Sequence, residues 1–163
     1  MIRLTPIKRH NAGEFLHLKV HESQQQFGDF DYADRLIDAY LEWATNGWQP
    51  YVFGITFGES TAVGFIKISY ELAENSEYAN NDLNYFNIDV FWIDKEHQGK
   101  GYGRIVMQEV LKLLKTMPQG ESAGCIFLDY APENEAARKL FTSFGFVETG
   151  EIHDGCTCAR LVL

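Results

Sequence analysis

Thirteen residues, Phe91 to Gly103 (Phe-Trp-Ile-Asp-Lys-Glu-His-Gln-Gly-Lys-Gly-Tyr-Gly), carry the densest chemistry in the chain. An aromatic strand stops at Asp94, a glycine-punctuated turn follows, and an amphipathic helix begins near Gly103. Glycines at alternate positions, Gly99, Gly101 and Gly103, permit positive φ and a close approach of backbone to a ligand, since no Cβ intervenes. The free N–H groups of a first helical turn, together with the helix dipole, favour an anion. The stretch reads as a phosphate cradle or, at its plainest, as a tight strand-to-helix turn.

The spacing narrows the ligand. A dinucleotide fingerprint needs its third glycine one place later than Gly103, and a Walker loop needs Ser or Thr after Lys100, where Gly101 stands. Gln98, Gly101 and Gly103 instead match Gln-x-x-Gly-x-Gly. A second motif begins 31 positions after Gly103: Asn134, Ala137, Leu140, Phe141, Gly145 and Phe146 stand in the pattern Asn-x-x-Ala-x-x-Leu-Tyr-x-x-x-Gly-Phe, with one strand in between. In this order and spacing the two motifs resemble the GCN5-related N-acetyltransferase (GNAT) family, firmly from about Asp89 to Phe146. Within that family the strand and loop, and the ending Gly-Phe-Val-Glu-Thr-Gly-Glu-Ile-His-Asp-Gly, look most like bacterial spermine and spermidine acetyltransferases.

The elements that must position these residues follow from periodicity. Ile2, Leu4 and Ile7 alternate as a first strand, and Asn11 is placed to cap a helix carrying Phe15, Leu16, Leu18 and Val20 as far as the Gln24–Gln26 run. A second helix is predicted from Tyr32 to Ala44, with Ala33, Leu36, Ile37, Tyr40, Leu41 and Ala44 on its apolar face and Asn46-Gly47 as its stop. Tyr51–Phe57 and Ala62–Tyr70 form a hairpin around Gly58-Glu59-Ser60, and a polar loop then runs from Glu71 to Asp82. A strand from Asn84 or Tyr85 to Ile93 leads into the glycine turn, and a helix to about Lys115 follows it. The strand Gly124–Tyr130, a helix from Asn134 to Ser143 and a last pair of strands around His153-Asp154-Gly155 complete the order. Strand, helix and strand around the glycine turn need a crossover and hence a parallel pair. The fold class is α/β (α+β), and the resemblance implies a mixed, mostly antiparallel twisted sheet with a splayed parallel pair and flanking helices. At 163 residues, one N-acetyltransferase domain spans 1–163.

Composition sets the partners. A net charge of −9 opposes a nucleic-acid surface, which needs a basic patch. Nowhere do eighteen apolar residues run together, so no membrane span is expected. Three cysteines, Cys125, Cys156 and Cys158, fit a reducing, cytoplasmic compartment better than a disulfide framework, and Cys156-x-Cys158 without a second pair reads as buried thiols, with no metal expected. Acid gathers in two runs, Asp29, Asp31, Asp34, Asp38 and Glu42, and then Glu71, Glu74, Glu77 and Asp82. Such runs are either solvated faces or the walls of a groove for a cation.

The resemblance implies acetyl-CoA as co-substrate and direct attack of a small-molecule amine, polycationic if the acid lines the acceptor groove; a homodimer is compatible with it. The cofactor would lie between the splayed strands, with backbone of Phe91, Trp92 and Ile93 along its pantetheine arm. Amides of Gly99, Gly101, Gly103 and Arg104 would take the pyrophosphate, flanked by Gln98 and Lys100, with Asn134 near the pantetheine while also capping its helix. An amine of pKa near 10.4 arrives charged, so a base is required. Asp89, two residues before Phe91 and so expected on the same face, is one candidate, and reads equally as an ion pair or a solvated acid. Glu71 at the preceding strand's end is the other, with a solvated loop acid as its alternative. Phe141 departs from the family, since a tyrosine that protonates the leaving thiolate usually stands there. Tyr130 is the candidate substitute, or else a core ring with its hydroxyl at the rim. A relative that binds acyl-CoA without catalysis is the competing reading.

Overall fold

A computed structural model describes residues 1–27, 31–46, 50–79 and 81–163, apart from the side chains of Glu42 and Asn46. Asp29, Gly47 and the Glu42 side chain, which enter the expectations above, lie outside the described residues. Seven strands join one sheet: β1 (Ile2–Pro6), β2 (Tyr51–Phe57), β3 (Thr61–Glu71), β4 (Tyr85–Ile93), β5 (Cys125–Tyr130), β6 (Val147–His153) and β7 (Cys156–Val162), in the order β1-β2-β3-β4-β5-β7-β6. Every pairing is antiparallel except β4 with β5. Among the described residues three α-helices accompany them, α1 (Tyr32–Leu41), α2 (Tyr102–Thr116) and α3 (Glu135–Thr142).

Alternation along β3 and β4 sends side chains to two cores. One side gathers Ile66, Ile68, Phe86 and Ile88 against Val106, Met107, Val110 and Leu114 of α2 and Phe141 of α3. The other side packs Phe65 and Trp92 against Phe15 and Tyr32, and Tyr85 and Phe127 against Tyr78. The crossover helix α2 makes the β4–β5 pair parallel, as expected of a strand-helix-strand unit.

Two N-terminal expectations need correction. The helix after Asn11 is replaced by two short 3₁₀ turns, Ala12–Phe15 and Glu22–Phe27. The Asn11 side chain accepts from Lys8 N–H and donates to Pro6 O, so it caps no helix. The backbone between the turns is used elsewhere: Lys19 N–H donates to Asp94 Oδ2 (2.8 Å), and Lys19 O accepts from Lys95 N–H (2.7 Å). Phe15 is drawn fully into the sheet because Gly54 leaves room for its ring; a Cβ there would stand 2.0 Å from Phe15 Cζ. The second correction concerns α1, which ends in a π-helical turn, Glu42–Asn46. Its inward stripe is Tyr32 and Ala39, both buried, with Leu36 half-buried, anchored edge-on by Tyr32 to Phe65, while Ile37, Tyr40 and Leu41 of the expected apolar face are exposed.

Candidate active site

Parallel pairing of β4 and β5 begins at Tyr85↔Cys125 and ends at Ile88↔Leu128. Beyond it β4 runs on through Ile93, and among the described residues no strand pairs with that edge of 89–93. A β-bulge causes the divergence. Lys67 pairs with Val90 and Ile68 with Ile88, so Asp89 is the extra residue. A bulge bends its strand and raises the local twist, which re-aims the side chains that follow. Phe86 and Ile88 point into the α2 core, and past the bulge Phe91 and Ile93 do so, a step of three where alternation gives two. Asp89 is therefore not on the face of Phe91, as strict alternation predicted. It lies on the opposite side of the sheet with Ser69 and Asn87.

On that side both candidate bases meet. Ser69 Oγ lies 3.1 Å from Glu71 Oε1 and 3.1 Å from Asp89 Oδ1. Glu71, only 8% exposed, also accepts from the Tyr85 hydroxyl at Oε2, so it is a buried strand residue and not the solvated loop acid of the alternative reading. Asp89 Oδ1 accepts from Asn87 Nδ2 (2.6 Å), whose Oδ1 accepts from the Tyr78 hydroxyl, and Asp89 Oδ2 stands 3.8 Å from Lys67 Nζ. Lys67 is buried at 5% exposure, and an ammonium so placed favours an ionised neighbour. Across the divergence, Asp129 of β5 pairs in register with Cys158 on the Tyr85 side of the sheet. Burial pushes the Asp129 carboxyl above the usual carboxylate range, partly offset by His153, whose Nδ1 lies 3.6 Å from Asp129 Oδ2. Sequence reasoning passed over Lys67, Ser69, Asn87, Tyr78 and Asp129. The signal it left unused is the polar alternation Lys67, Ser69, Glu71 inside an otherwise apolar strand.

The glycine turn is built from Asp94. This buried carboxylate accepts Lys19 N–H and Glu96 N–H (3.0 Å), while its own N–H donates to Val63 O, so β4's end is clamped to β3 and to the N-terminal segment. Gln98 Nε2 donates to Ile93 O (2.9 Å) and Gln24 Oε1 (2.7 Å), and Lys100 Nζ folds back on Glu96 O. Gly99 and Gly101 take φ of +72° and +76°, and a Cβ on either would meet nothing within 4 Å. Gly101 is the N-cap of α2, whose first turn carries no acidic residue. Open space beside left-handed glycines, at a helix start with free N–H groups, fits a pyrophosphate. Arg104 reaches the ring of Phe144 at 5.6 Å, and Asn134 caps α3 by accepting Ala137 N–H (3.1 Å). Phe91, Trp92 and Ile93 supply the part of β4 that runs past the β5 pairing, and Gln98 engages the Ile93 carbonyl.

On the α2 side, Phe141 is buried between Phe91, Tyr130 and Phe146. The Tyr130 hydroxyl donates to Glu148 Oε1 (2.9 Å), which Arg138 Nε also holds at 2.9 Å. Burial and the Glu148 charge push the Tyr130 pKa up to about 12. Its proton is thus directed to Glu148, and serving a thiolate requires that bond to break. Burial raises the thiols of Cys125, Cys156 and Cys158, which disfavours the thiolate a nucleophile needs. An open groove of about 620 Å³ walled by Phe127, Thr149, Glu151 and Arg160 shares no residue with the glycine turn or the Ser69 cluster.

Residues 14–146 match the Acetyltransferase (GNAT) family. The chain belongs to that family. It is an acyl-CoA N-acetyltransferase with acetyl-CoA as co-substrate. No curated protein matches the sequence. Among solved structures, PH1933 from Pyrococcus horikoshii OT3 is similar at 23% identity and TM-score 0.67, over 100% of this chain and 99% of that one. The spermidine N-acetyltransferase from Vibrio cholerae, in complex with CoA and spermine, is similar at 19% identity and TM-score 0.65, over 99% and 94%. The GNAT domain of S. lividans PAT gives 14% and 0.70, over 99% and 90%. At these identities the likeness establishes the fold. No described helix of this acetyltransferase is long and apolar enough to cross a membrane.

Proposed function

We propose that the chain transfers acetyl from acetyl-CoA to an amine of a small polycation, a polyamine such as spermidine or spermine, in a reducing, cytoplasmic setting. The observation that carries this reading is the pair of carboxylates, Glu71 and Asp89, gathered by Ser69 on the side of the sheet opposite α2, where β4 leaves β5. Acetyl-CoA supplies the activated acyl group. Amides of Gly99, Gly101, Gly103 and Arg104 hold its pyrophosphate, and the edge of 89–93 that runs past the β5 pairing lines its pantetheine arm. Asp89 takes a proton from the acceptor ammonium, which frees the nitrogen lone pair for attack on the thioester. A carbon–nitrogen bond forms, the carbon–sulfur bond breaks, and the net reaction releases one proton to solvent. A positioned base contributes typically 10²- to 10⁴-fold.

Polycation preference rests on charge. Glu74, Glu77 and Asp82 are exposed in the segment that follows Glu71, and the whole chain is at −9. The first acidic run offers less support: Asp31 caps α1 through Ala33 N–H and Asp38 pairs with Arg35. Exposed charges are screened beyond about 8 to 10 Å at physiological ionic strength, so added salt should raise the KM of spermidine more steeply than that of a monoamine. The triple variant Glu74→Gln, Glu77→Gln, Asp82→Asn should weaken spermidine selectively and leave acetyl-CoA binding unchanged. Equal salt slopes, or a triple variant that affects both amines alike, would remove the polyamine from this account.

A further inference from the structure

Ser69 stands between two carboxylate oxygens at 3.1 Å each, yet a hydroxyl has one proton to donate. Donation to Asp89 leaves the contact with Glu71 without a hydrogen, and the reverse holds equally. Ser69 can therefore serve one carboxylate at a time and switch between them, in a site where Glu71, Ser69 and Lys67 are all buried. Asn87 and Lys67 face Asp89 with donors, and the Tyr85 hydroxyl faces Glu71 with another.

We infer that Ser69 is a positioning residue that couples Asp89 to Glu71 as a single proton acceptor, so that a proton taken from the acceptor at Asp89 is balanced by one leaving at Glu71. This deepens the acetyltransfer reading and rests on it. When Asp89 Oδ1 receives the ammonium proton, it hands a proton to Ser69 Oγ, and the Ser69 hydroxyl passes its own to Glu71 Oε1. Glu71 then releases that proton to solvent. Two O–H bonds form and two break in the transfer, and Asp89 returns to its ionised state beside Lys67. The groups that face the relay include Lys67 and Glu71 from β3, Tyr85, Asn87 and Asp89 from β4, and Tyr78 through Asn87, and the charge of Asp129 acts on Tyr78. The alternation of Lys67, Ser69 and Glu71 on one face of β3 is what such a line requires.

The test is a cycle of variants. Ser69→Ala and Glu71→Gln should each lower kcat on the order of 10²-fold. The double variant should be no slower than either, KM for acetyl-CoA should stay put, and Ser69→Thr should recover most of the rate. Residues that act as one unit are non-additive in this way. A double variant slower by the product of the two single effects, or a Ser69→Ala enzyme with wild-type turnover, overturns the coupling. The second arm needs no turnover: with ¹³C-labelled carboxyls, Glu71→Gln should move the Asp89 titration in the wild-type background and leave it unmoved in Ser69→Ala. A shift that survives Ser69→Ala overturns the inference. Absence of thiol release by the wild type overturns the acetyltransfer reading instead, and the titration still decides the relay.

Discussion

Gly101→Ala separates a turn-former from a ligand cradle. At φ +76° an L-residue meets its own carbonyl, a cost of roughly 1–2 kcal/mol. For a chain of this length each kcal/mol lowers Tm by roughly 2–4 °C, so the variant should melt roughly 2–8 °C earlier while remaining folded. No protein atom lies within 4 Å of the added Cβ, so no clash enlarges that cost, and the methyl occupies the open space assigned to pyrophosphate. The affinity loss should therefore exceed any effect of strain alone: a Kd for acetyl-CoA raised at least about tenfold, equivalent to about 1.4 kcal/mol. Gly103→Ala adds a Cβ to the same cradle without backbone strain, because its φ is not left-handed and its Cβ would sit at an ordinary 3.4 Å from Leu140 Cδ2. Calorimetric titration beside thermal melts reads both quantities. A lower Tm with unchanged Kd in Gly101→Ala would leave Gly101 as a turn residue and refute the cradle.

Other expectations follow from single contacts. Asp94→Ala leaves Lys19 N–H and Glu96 N–H without their acceptor, which should cost about 1–3 kcal/mol in denaturant unfolding and weaken acetyl-CoA as the loop loosens; unchanged binding would separate the clamp from the cradle. Tyr130→Phe should leave kcat unchanged, since the hydroxyl proton is committed to Glu148, whereas Phe141→Tyr should raise kcat if thiolate protonation limits the rate; steady-state kinetics on both variants checks this. The tyrosines also set an alkaline limit. Tyr32 and Tyr130 have folded pKa values pushed up to about 12 by burial, Tyr130 also by Glu148, above an ordinary value near 10. Their contribution to stability is present below pH 10 and lost as pH rises from 10 to 12, because the unfolded chain releases its protons first. Denaturant midpoints across that range should fall, and fall less in Tyr130→Phe.

What could be read from residue types was whatever local pattern decides. The β2–β3 hairpin, β4 with its glycine turn, α2, β5, α3 capped by Asn134, and the last hairpin all lie close to their expected bounds, because alternation, helical spacing and glycine placement act within a few residues. The segment after Asn11 failed because its backbone bonds are made to Asp94 and Lys95, some 75 residues away. The bulge at Asp89 left no sequence mark either, and without it the acid was assigned to the face of Phe91. Glu71 could be read as a strand end or as a solvated loop acid; it is the last residue of a strand whose polar face, Lys67, Ser69 and Glu71, meets Asn87 and Asp89 only once β3 and β4 are in register.

The most direct measurement is release of free CoA thiol from acetyl-CoA in the presence of spermidine, with the amine product followed by mass. The account predicts thiol release that depends on the amine, one acetyl group gained by spermidine, and loss of both in Asp89→Asn with acetyl-CoA still bound. Acetyl-CoA binding with no thiol released to spermidine, spermine, aminoglycosides, amino acids or peptides would contradict it and leave a CoA-binding relative without catalysis.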